Sequence, residues 1–281
     1  MLLAMVWWGG LGLIFGSFTN VLIARYDSGK SIGGRSECPQ CHRTLEWFEL
    51  VPIMSWLLLR GRCRTCRVLI SLQYPLIEAL VAVGFLAIGL APVSLIARVL
   101  GCGIIILLAA ISAYDIRHML MPDVWVYGFG ILAFFSGAIQ MNTHDPITWT
   151  LFFIAGPVVA LPLFLLWFFS NGRWMGFGDV KFALGIGWLL SISSGYSALC
   201  LSFVIGAIVG VFVLIPLDYL GARRTGGITG FHGGVKRLTI HSEVPFGPFL
   251  ICGTCIVWIA ILYHFDIAGF LGGFLSLSSW S

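Results

Sequence analysis

Two aspartates are the residues of this chain whose type and position point most directly to chemistry. Asp115 ends one long apolar segment and Asp179 begins another, in a chain of which only 10% is charged. An ionisable group at a membrane boundary is costly, so each carboxylate is a functional-site hypothesis by default. Two close carboxylates share one proton, so that one can take a proton from water while the other donates to a peptide carbonyl. The pair therefore predicts aspartyl protease chemistry.

Asp179 lies in the segment Met175–Lys181, which reads Met-Gly-Phe-Gly-Asp-Val-Lys. Gly176 and Gly178 have no side chain to keep an extended substrate away from the backbone beside the carboxylate. The G-x-G-D pattern is weak alone, and its place at a membrane boundary, on the same side as a second acid, strengthens it. Neither G-x-S-x-G nor H-E-x-x-H, the motifs of rival hydrolytic mechanisms, occurs in the sequence.

Four cysteines form a second group with chemical potential, in the only long polar stretch between apolar segments. Cys38 and Cys41 form one C-x-x-C pair, and Cys63 and Cys66 form another after a gap of twenty-one residues. Paired knuckles at this separation predict a closed, tetrahedral four-thiolate zinc site with a structural role. Two disulfides or a redox pair are the alternative, which a reducing cytoplasmic location would disfavour. A metal would also stabilise an insert of about fifty residues that has little core of its own.

The elements that must hold these residues are membrane spans. Hydrophobic residues make up 59% of the 281 residues, and apolar runs of about 18 or more residues recur along the chain. A soluble protein with a very apolar core is the alternative, and repeated runs of bilayer length argue against it. The pattern predicts an all-α polytopic membrane protein with the cysteine insert between its first two helices. The eight predicted spans lie near residues 2–23, 76–92, 95–114, 124–140, 149–169, 180–193, 197–218 and 246–264.

Basic residues indicate how the chain is oriented in the membrane. If the N-terminus lies outside, fifteen of the sixteen lysines and arginines fall on inside segments, and Arg98 alone falls outside. The positive-inside rule then predicts a periplasmic N-terminus and places both aspartates at the cytoplasmic face. The net charge of +4 reflects topology and contact with anionic membrane lipids, and it requires no nucleic-acid partner. The predicted domains are a first transmembrane helix (1–23), the zinc-binding insert (24–75) and a transmembrane core (76–281).

With these residues in view, the chain resembles the bacterial type IV prepilin peptidases, the leader peptidases of pili and type II secretion systems. The resemblance runs nearly end to end, and its motifs are highly specific when taken together. Asp115 stands seven residues before Pro122-Asp123, as the first catalytic aspartate does in that family. The other matching segments are Gly16–Val21 followed by Arg25, the four cysteines, Leu59–Arg64, Tyr74-Pro75 with Glu78, Met175–Lys181 and Pro245–Phe249.

The resemblance implies an eight-span aspartyl endopeptidase of the bacterial inner membrane, with Asp115 and Asp179 as its catalytic dyad. Its substrates would be prepilins and pseudopilins, cut on the cytoplasmic side after a glycine that ends a short basic leader. The loops around the dyad would contribute Gly176, Gly178, Lys181, Pro122 and Asp123. Family members with the cysteine insert usually also methylate the new N-terminus with S-adenosylmethionine. No glycine-rich cofactor loop is recognisable in this sequence, so the residues that bind the methyl donor are not assigned.

Three segments depart from the pattern of that family. Residues 220–242 make a longer glycine-rich and basic loop, Ile32–Arg35 replaces a proline-containing lead-in, and Cys252 and Cys255 have no counterpart. Two other classes of protein stay open. A proton- or ion-coupled transporter would also keep acids within spans, but near mid-membrane and with inverted repeats, which are not evident here. A zinc-bearing scaffold without catalysis would account for the cysteines and leave the G-x-G-D segment unexplained.

Overall fold

The computed structural model describes residues 1–26, 33–141, 145–214 and 245–265 of the protein. Ile32 and the loop 220–242, both noted above, lie outside these ranges. Within the described ranges all long elements are helices, and strand pairing is limited to two isolated bridges, Glu37–Thr44 and Arg62–Leu69. The helices are α1 (Leu2–Arg25), α2 (Met54–Leu58), α3 (Gln73–Leu90), α4 (Leu95–His118), α5 (Asp123–Gln140), α6 (Pro146–Ser170), α7 (Phe177–Val209) and α8 (Gly247–Leu262).

Six helical stretches of the described chain are long and apolar enough to cross a membrane. They are α1, α3, α4, α5, α6 and the stretch Phe177–Phe212, which contains α7 and part of the π-helical turn that follows it. α8 is also apolar but shorter, with 16 residues. The predicted fold class, an all-helical membrane protein with a cysteine insert between its first two spans, is confirmed.

The predicted sixth span and part of the predicted seventh lie in the 33-residue α7, which consists of two helical segments joined across a kink. A straight helix of this length measures about 50 Å, well beyond the hydrocarbon core of a bilayer at roughly 30 Å. The helical geometry is interrupted inside α7 at Ser191, where φ is 69° and ψ is 179°. The break falls two residues before the end of the predicted sixth span at residue 193, so the sequence placed a boundary close to it.

The chain divides into two compact units, Met1–Ala113 and Tyr114–Ser281. In the first unit, α1 and α3 approach closely at small residues. A Cβ added to Gly16 would lie 2.7 Å from the Cα of Glu78, so a larger residue would push the two helices apart. Asn20 supports the same pair of helices, because its Nδ2 donates to the Tyr74 carbonyl at 3.0 Å.

Two buried carboxylates hold the insert of the first unit in place. Glu49 accepts hydrogen bonds from Arg43 Nη2 at 2.6 and 2.8 Å and from the Glu46 N–H at 2.9 Å. Burial opposes the ionisation of Glu49, but these donors keep its pKa below the ordinary value of 4.5. Glu78, on α3, accepts from the Ile53 N–H at 2.7 Å and so ties the insert to a membrane helix.

In the second unit α7 is the central helix, because α5, α6 and α8 all pack against it. The stacked rings of Phe129 and Phe182, 4.5 Å apart, join α5 to α7. On another side of α7, the Ser202 hydroxyl is buried against α8 and lies 3.4 Å from the Leu250 carbonyl. Near its start, Phe177 packs on Trp167 of α6 at 4.8 Å. The contacts of Phe177 and Phe182 lie at the start of α7 and support the turn that carries Asp179.

Candidate functional site

Asp115 lies in the last turn of α4 and is buried, with 4% of its surface exposed. Its Oδ2 accepts a hydrogen bond of 3.1 Å from the backbone N–H of Gly247, the first residue of α8. The neighbouring Tyr114 stacks on His118 at 4.3 Å and meets the edge of Trp125 at 5.5 Å. These ring contacts hold the end of α4 against α5, so the carboxylate has a defined position.

Asp179 is the third residue of α7 and is also buried, with 8% of its surface exposed. The first turn of a helix presents N–H groups without intrahelical partners and the positive end of the helix dipole, so an acid there is favourable. The helix begins directly after Gly176, and the Asp179 N–H donates to the Gly176 carbonyl at 3.3 Å. The G-x-G-D segment is therefore the start of a helix.

Helix packing brings the two aspartates into one neighbourhood of the second unit. Asp179 lies close enough to Asp115 for their charges to interact. Met121 lies beside two glycines of this neighbourhood: a Cβ added to Gly178 would lie 3.2 Å from the Met121 Cβ, and a Cβ added to Gly247 would meet the Met121 methyl group. Among the described residues, no lysine or arginine forms an ion pair with either carboxylate. Within the part of the chain that the structure describes, the site is a buried acid pair without a neutralising cation.

Two of the other residues expected near the dyad, Lys181 and Asp123, form an ion pair. Lys181 Nζ lies 2.7 Å from Asp123 Oδ1, and the ammonium group also lies over the rings of Tyr127 and Phe177 at 5.5 and 5.3 Å. Asp123 is the first residue of α5, and Pro122 precedes it as the N-cap. The pair joins the start of α5 to the start of α7, next to the aspartates.

Two residues at this site were not predicted from the sequence. Gly247 belongs to the segment Pro245–Phe249, which the resemblance marked without giving it a role. Met121 had no marker at all, since a methionine in an apolar chain is most often a packing residue. Both belong to the site because the end of α4 lies beside the starts of α7 and α8.

The four predicted zinc ligands come together in the first unit. The sulfur atoms of Cys38, Cys41, Cys63 and Cys66 all lie within 4.8 Å of one another, and the Sγ atoms of Cys38 and Cys66 are 3.7 Å apart. Two sulfurs held at about 2.3 Å on one tetrahedral ion lie about 3.8 Å apart. The donor set and spacing therefore fit a four-thiolate metal site, and all four cysteines are free of disulfides.

The two knuckles have the same backbone geometry. The N–H of Cys38 donates to the Arg43 carbonyl at 3.0 Å, and the N–H of Cys63 donates to the equivalent Val68 carbonyl at 2.9 Å. The Cys66 and Thr65 N–H groups donate to the Cys63 sulfur and contribute to lowering its pKa to about 6. A thiolate is the form that binds a metal, so the loop itself prepares Cys63 as a ligand.

Comparison with known proteins identifies the chain. A model of the bacterial peptidase A24 N-terminal domain matches residues 11–91, and the model of the type IV leader peptidase family matches residues 102–211. The "Type 4 prepilin-like proteins leader peptide-processing enzyme" of Escherichia coli O78:H11 (strain H10407 / ETEC) is 33% identical over 270 residues, covering 86% of this chain and 88% of the relative. The protein belongs to the type IV leader peptidase family. It is therefore a peptidase, and the transporter interpretation is not favoured.

Other relatives in the family carry a two-part name. The "Prepilin leader peptidase/N-methyltransferase" of Dickeya chrysanthemi is 31% identical, over 85% of this chain and 87% of its own length. The protein of the same name from Bacillus subtilis (strain 168) is 29% identical, over 84% of this chain and 97% of its own. No solved structure matches this chain. The first family match contains all four cysteines, and the second contains both aspartates.

Proposed function

We propose that the protein is a membrane-embedded aspartyl endopeptidase in which Asp115 and Asp179 form the catalytic dyad. The observation that carries this proposal is that two acids from different helices are buried close to each other and, among the described residues, form no ion pair with a lysine or arginine. Burying two carboxylates costs free energy, and no ion pair among the described residues offsets that cost, so a role in chemistry accounts for both acids.

The reaction follows from the ability of the pair to share one proton. The ionised carboxylate takes a proton from a water molecule, whose oxygen attacks the carbonyl carbon of the scissile peptide bond. The protonated carboxyl donates its proton to the carbonyl oxygen, so the tetrahedral intermediate carries a hydroxyl group rather than an oxyanion. When the C–N bond breaks, the first carboxyl gives the proton taken from water to the leaving amine, and a hydroxyl of the intermediate returns its proton to the second carboxylate as the carbonyl re-forms. The two carboxyl groups finish with one proton between them, as they began.

Prepilins and pseudopilins are the substrates we propose, cut after the glycine that ends a short basic leader. The names of the relatives support a prepilin substrate. Met175–Lys181 and Pro122-Asp123 border the dyad and are the proposed substrate-facing loops. The distribution of basic residues supports an inner-membrane protein with a periplasmic N-terminus and a site at the cytoplasmic face.

A second activity, methylation of the new N-terminus with S-adenosylmethionine, is proposed on the two-part names of the relatives. We further propose that Cys38, Cys41, Cys63 and Cys66 hold a structural zinc ion. A closed site of four thiolates leaves no position for a substrate or water. The ion would therefore stabilise the insert and take no part in peptide cleavage.

Cleavage of a prepilin by purified protein in detergent tests the dyad. Asp115→Asn and Asp179→Asn should each slow cleavage by roughly a hundred- to ten-thousand-fold, because each variant loses one partner in proton transfer. Asp145→Asn is a matched control: Asp145 caps α6 at an exposed position, and asparagine caps helices equally well. An Asp115→Asn or Asp179→Asn variant that is folded and cuts at the normal rate would show that the dyad is assigned wrongly.

A further inference from the structure

We infer that Gly247 is a positioning residue for the peptidase, which holds Asp115 in place from the first turn of α8. This inference rests on the proposed role of Asp115 in the dyad. Gly247 is more than one hundred residues away in sequence and lies beyond the part of the chain that the peptidase family model matches. Its proposed role depends on two properties: a backbone N–H that has no acceptor within its own helix, and the lack of a side chain.

The N–H of Gly247 has Asp115 as its partner because the rest of the first turn is otherwise accounted for. Pro248 has no N–H group, and the N–H groups of Phe249 and Leu250 both donate to the Phe246 carbonyl, at 3.1 Å each. The first N–H groups of a helix lack intrahelical acceptors and need a partner when they are buried. Asp115 Oδ2 supplies that acceptor at 3.1 Å in a buried contact. The bond therefore satisfies the helix and fixes the carboxylate at once.

The missing side chain of Gly247 is equally important for the position of Asp115. A Cβ added at this position would lie 2.5 Å from Asp115 Oδ2 and 3.1 Å from its Cγ. Such contacts are too short to persist, so the carboxylate would have to move. An alanine here would displace the proposed catalytic group while leaving its chemical identity unchanged.

Met121 extends this arrangement to the other aspartate. Its methyl group contacts Gly247, and its Cβ and Cγ face Gly178, the residue just before Asp179. One side chain thus lies between the first turns of α7 and α8, in contact with the glycine next to each carboxylate. Displacing Met121 is a second way in which a residue larger than glycine at position 247 could disturb the site.

Steady-state prepilin cleavage by Gly247→Ala, in the full-length protein, tests the inference. A positioning role predicts that kcat falls at least tenfold while KM changes by less than about threefold, because Gly247 acts on Asp115 and not on the bound leader. Gly206→Ala is the matched control, since a Cβ there would meet Phe249 of α8 at an ordinary 3.5 Å. It should leave kcat and the thermal unfolding midpoint unchanged. Normal kcat in folded Gly247→Ala would overturn the inference.

The double variant Gly247→Ala/Met121→Ala separates the two contacts of Gly247. Removing the Met121 side chain relieves the crowding with methionine and leaves the crowding with Asp115. We therefore expect the double variant to cut no faster than Gly247→Ala alone. Recovery of kcat in the double variant would show that Gly247 only makes room for Met121. If Gly247→Ala cuts at the normal rate, the inference about Gly247 fails and the dyad proposal stands. If Asp115→Asn cuts at the normal rate, the dyad proposal itself fails. The two proposals can therefore be told apart.

Discussion

The cysteine centre (Cys38, Cys41, Cys63 and Cys66) and the aspartate site (Asp115 and Asp179, with Met121 and Gly247) are assembled in different ways. Each C-x-x-C pair lies within one short loop whose backbone bonds are local, and only one approach, between the two loops, is needed to complete the set. The aspartate site needs three helix ends to converge from distant parts of the chain. One site can be formed by its own loops and an ion, whereas the other depends on the packing of a whole unit.

The two sites also differ in what offsets the free-energy cost of forming them. The proposed metal would offset the cost of bringing four thiolates together, so the cysteine centre would stabilise the insert around it. The aspartate site has no metal in this account: the cost of its buried acids must be offset by the Gly247 hydrogen bond, the positive end of the α7 dipole and the packing around α7. The first site should therefore affect stability when it is altered, and the second should affect activity.

Among the variants that test this difference between the two sites, loss of one proposed zinc ligand should have the largest effect. Cys38→Ser leaves three thiolates, so we expect loss of zinc, measured per protein by atomic absorption, and a larger loss of methylation than of cleavage. Cys200→Ser, at an exposed position on α7, is the matched control and should retain zinc. Mass spectrometry of the product N-terminus measures both activities at once. An equal loss of the two activities would make the insert a general folding element instead.

A smaller effect is expected for the buried ion pair that supports the insert. Glu49→Gln loses the charged acceptor of Arg43 and should lower the stability of the insert by roughly 1–3 kcal/mol, with cleavage little changed. Glu46→Gln is the matched control, because the Glu46 carboxylate is half-exposed and lies 3.8 Å from Arg43. Thermal release of zinc to a chromogenic chelator at pH 7.5 reports on the insert directly. Equal midpoints for the two variants would contradict the role of Glu49.

The smallest effect is expected for the ion pair between Asp123 and Lys181, next to the aspartate site. Asp123→Asn breaks the ion pair with Lys181, in which Asp123 is 59% exposed, and such pairs contribute at most about 1 kcal/mol. Cleavage should slow by less than about tenfold, and Lys181→Gln should have a similar effect. The double variant should be no worse than either single variant, because they remove the same interaction. A loss as large as that of Asp115→Asn would instead place Asp123 in the chemistry.

These two regions also explain how far the sequence could be interpreted without a structure. The cluster of four cysteines was predictable because the cysteine spacing is set within each knuckle, and the helical membrane fold was predictable because apolar runs report bilayer length. The boundary between the predicted sixth and seventh spans, at residues 193–197, lies within a few residues of the break in α7, whereas Ser191 itself could not be singled out because its residue type does not require a break. Gly247 and Met121 act through contacts between helix ends, and such contacts depend on packing that no local pattern encodes.

The central claim is that Asp115 and Asp179 act as one unit, and single-turnover cleavage by Asp115→Asn, Asp179→Asn and the double variant tests it most directly. Groups that share one proton lose their function together, so removing the second should add little to removing the first. We predict that the double variant cuts within about threefold of the slower single variant, with zinc content and unfolding midpoint unchanged. Losses that multiply in the double variant would mean that the two carboxylates act independently, and would contradict the account.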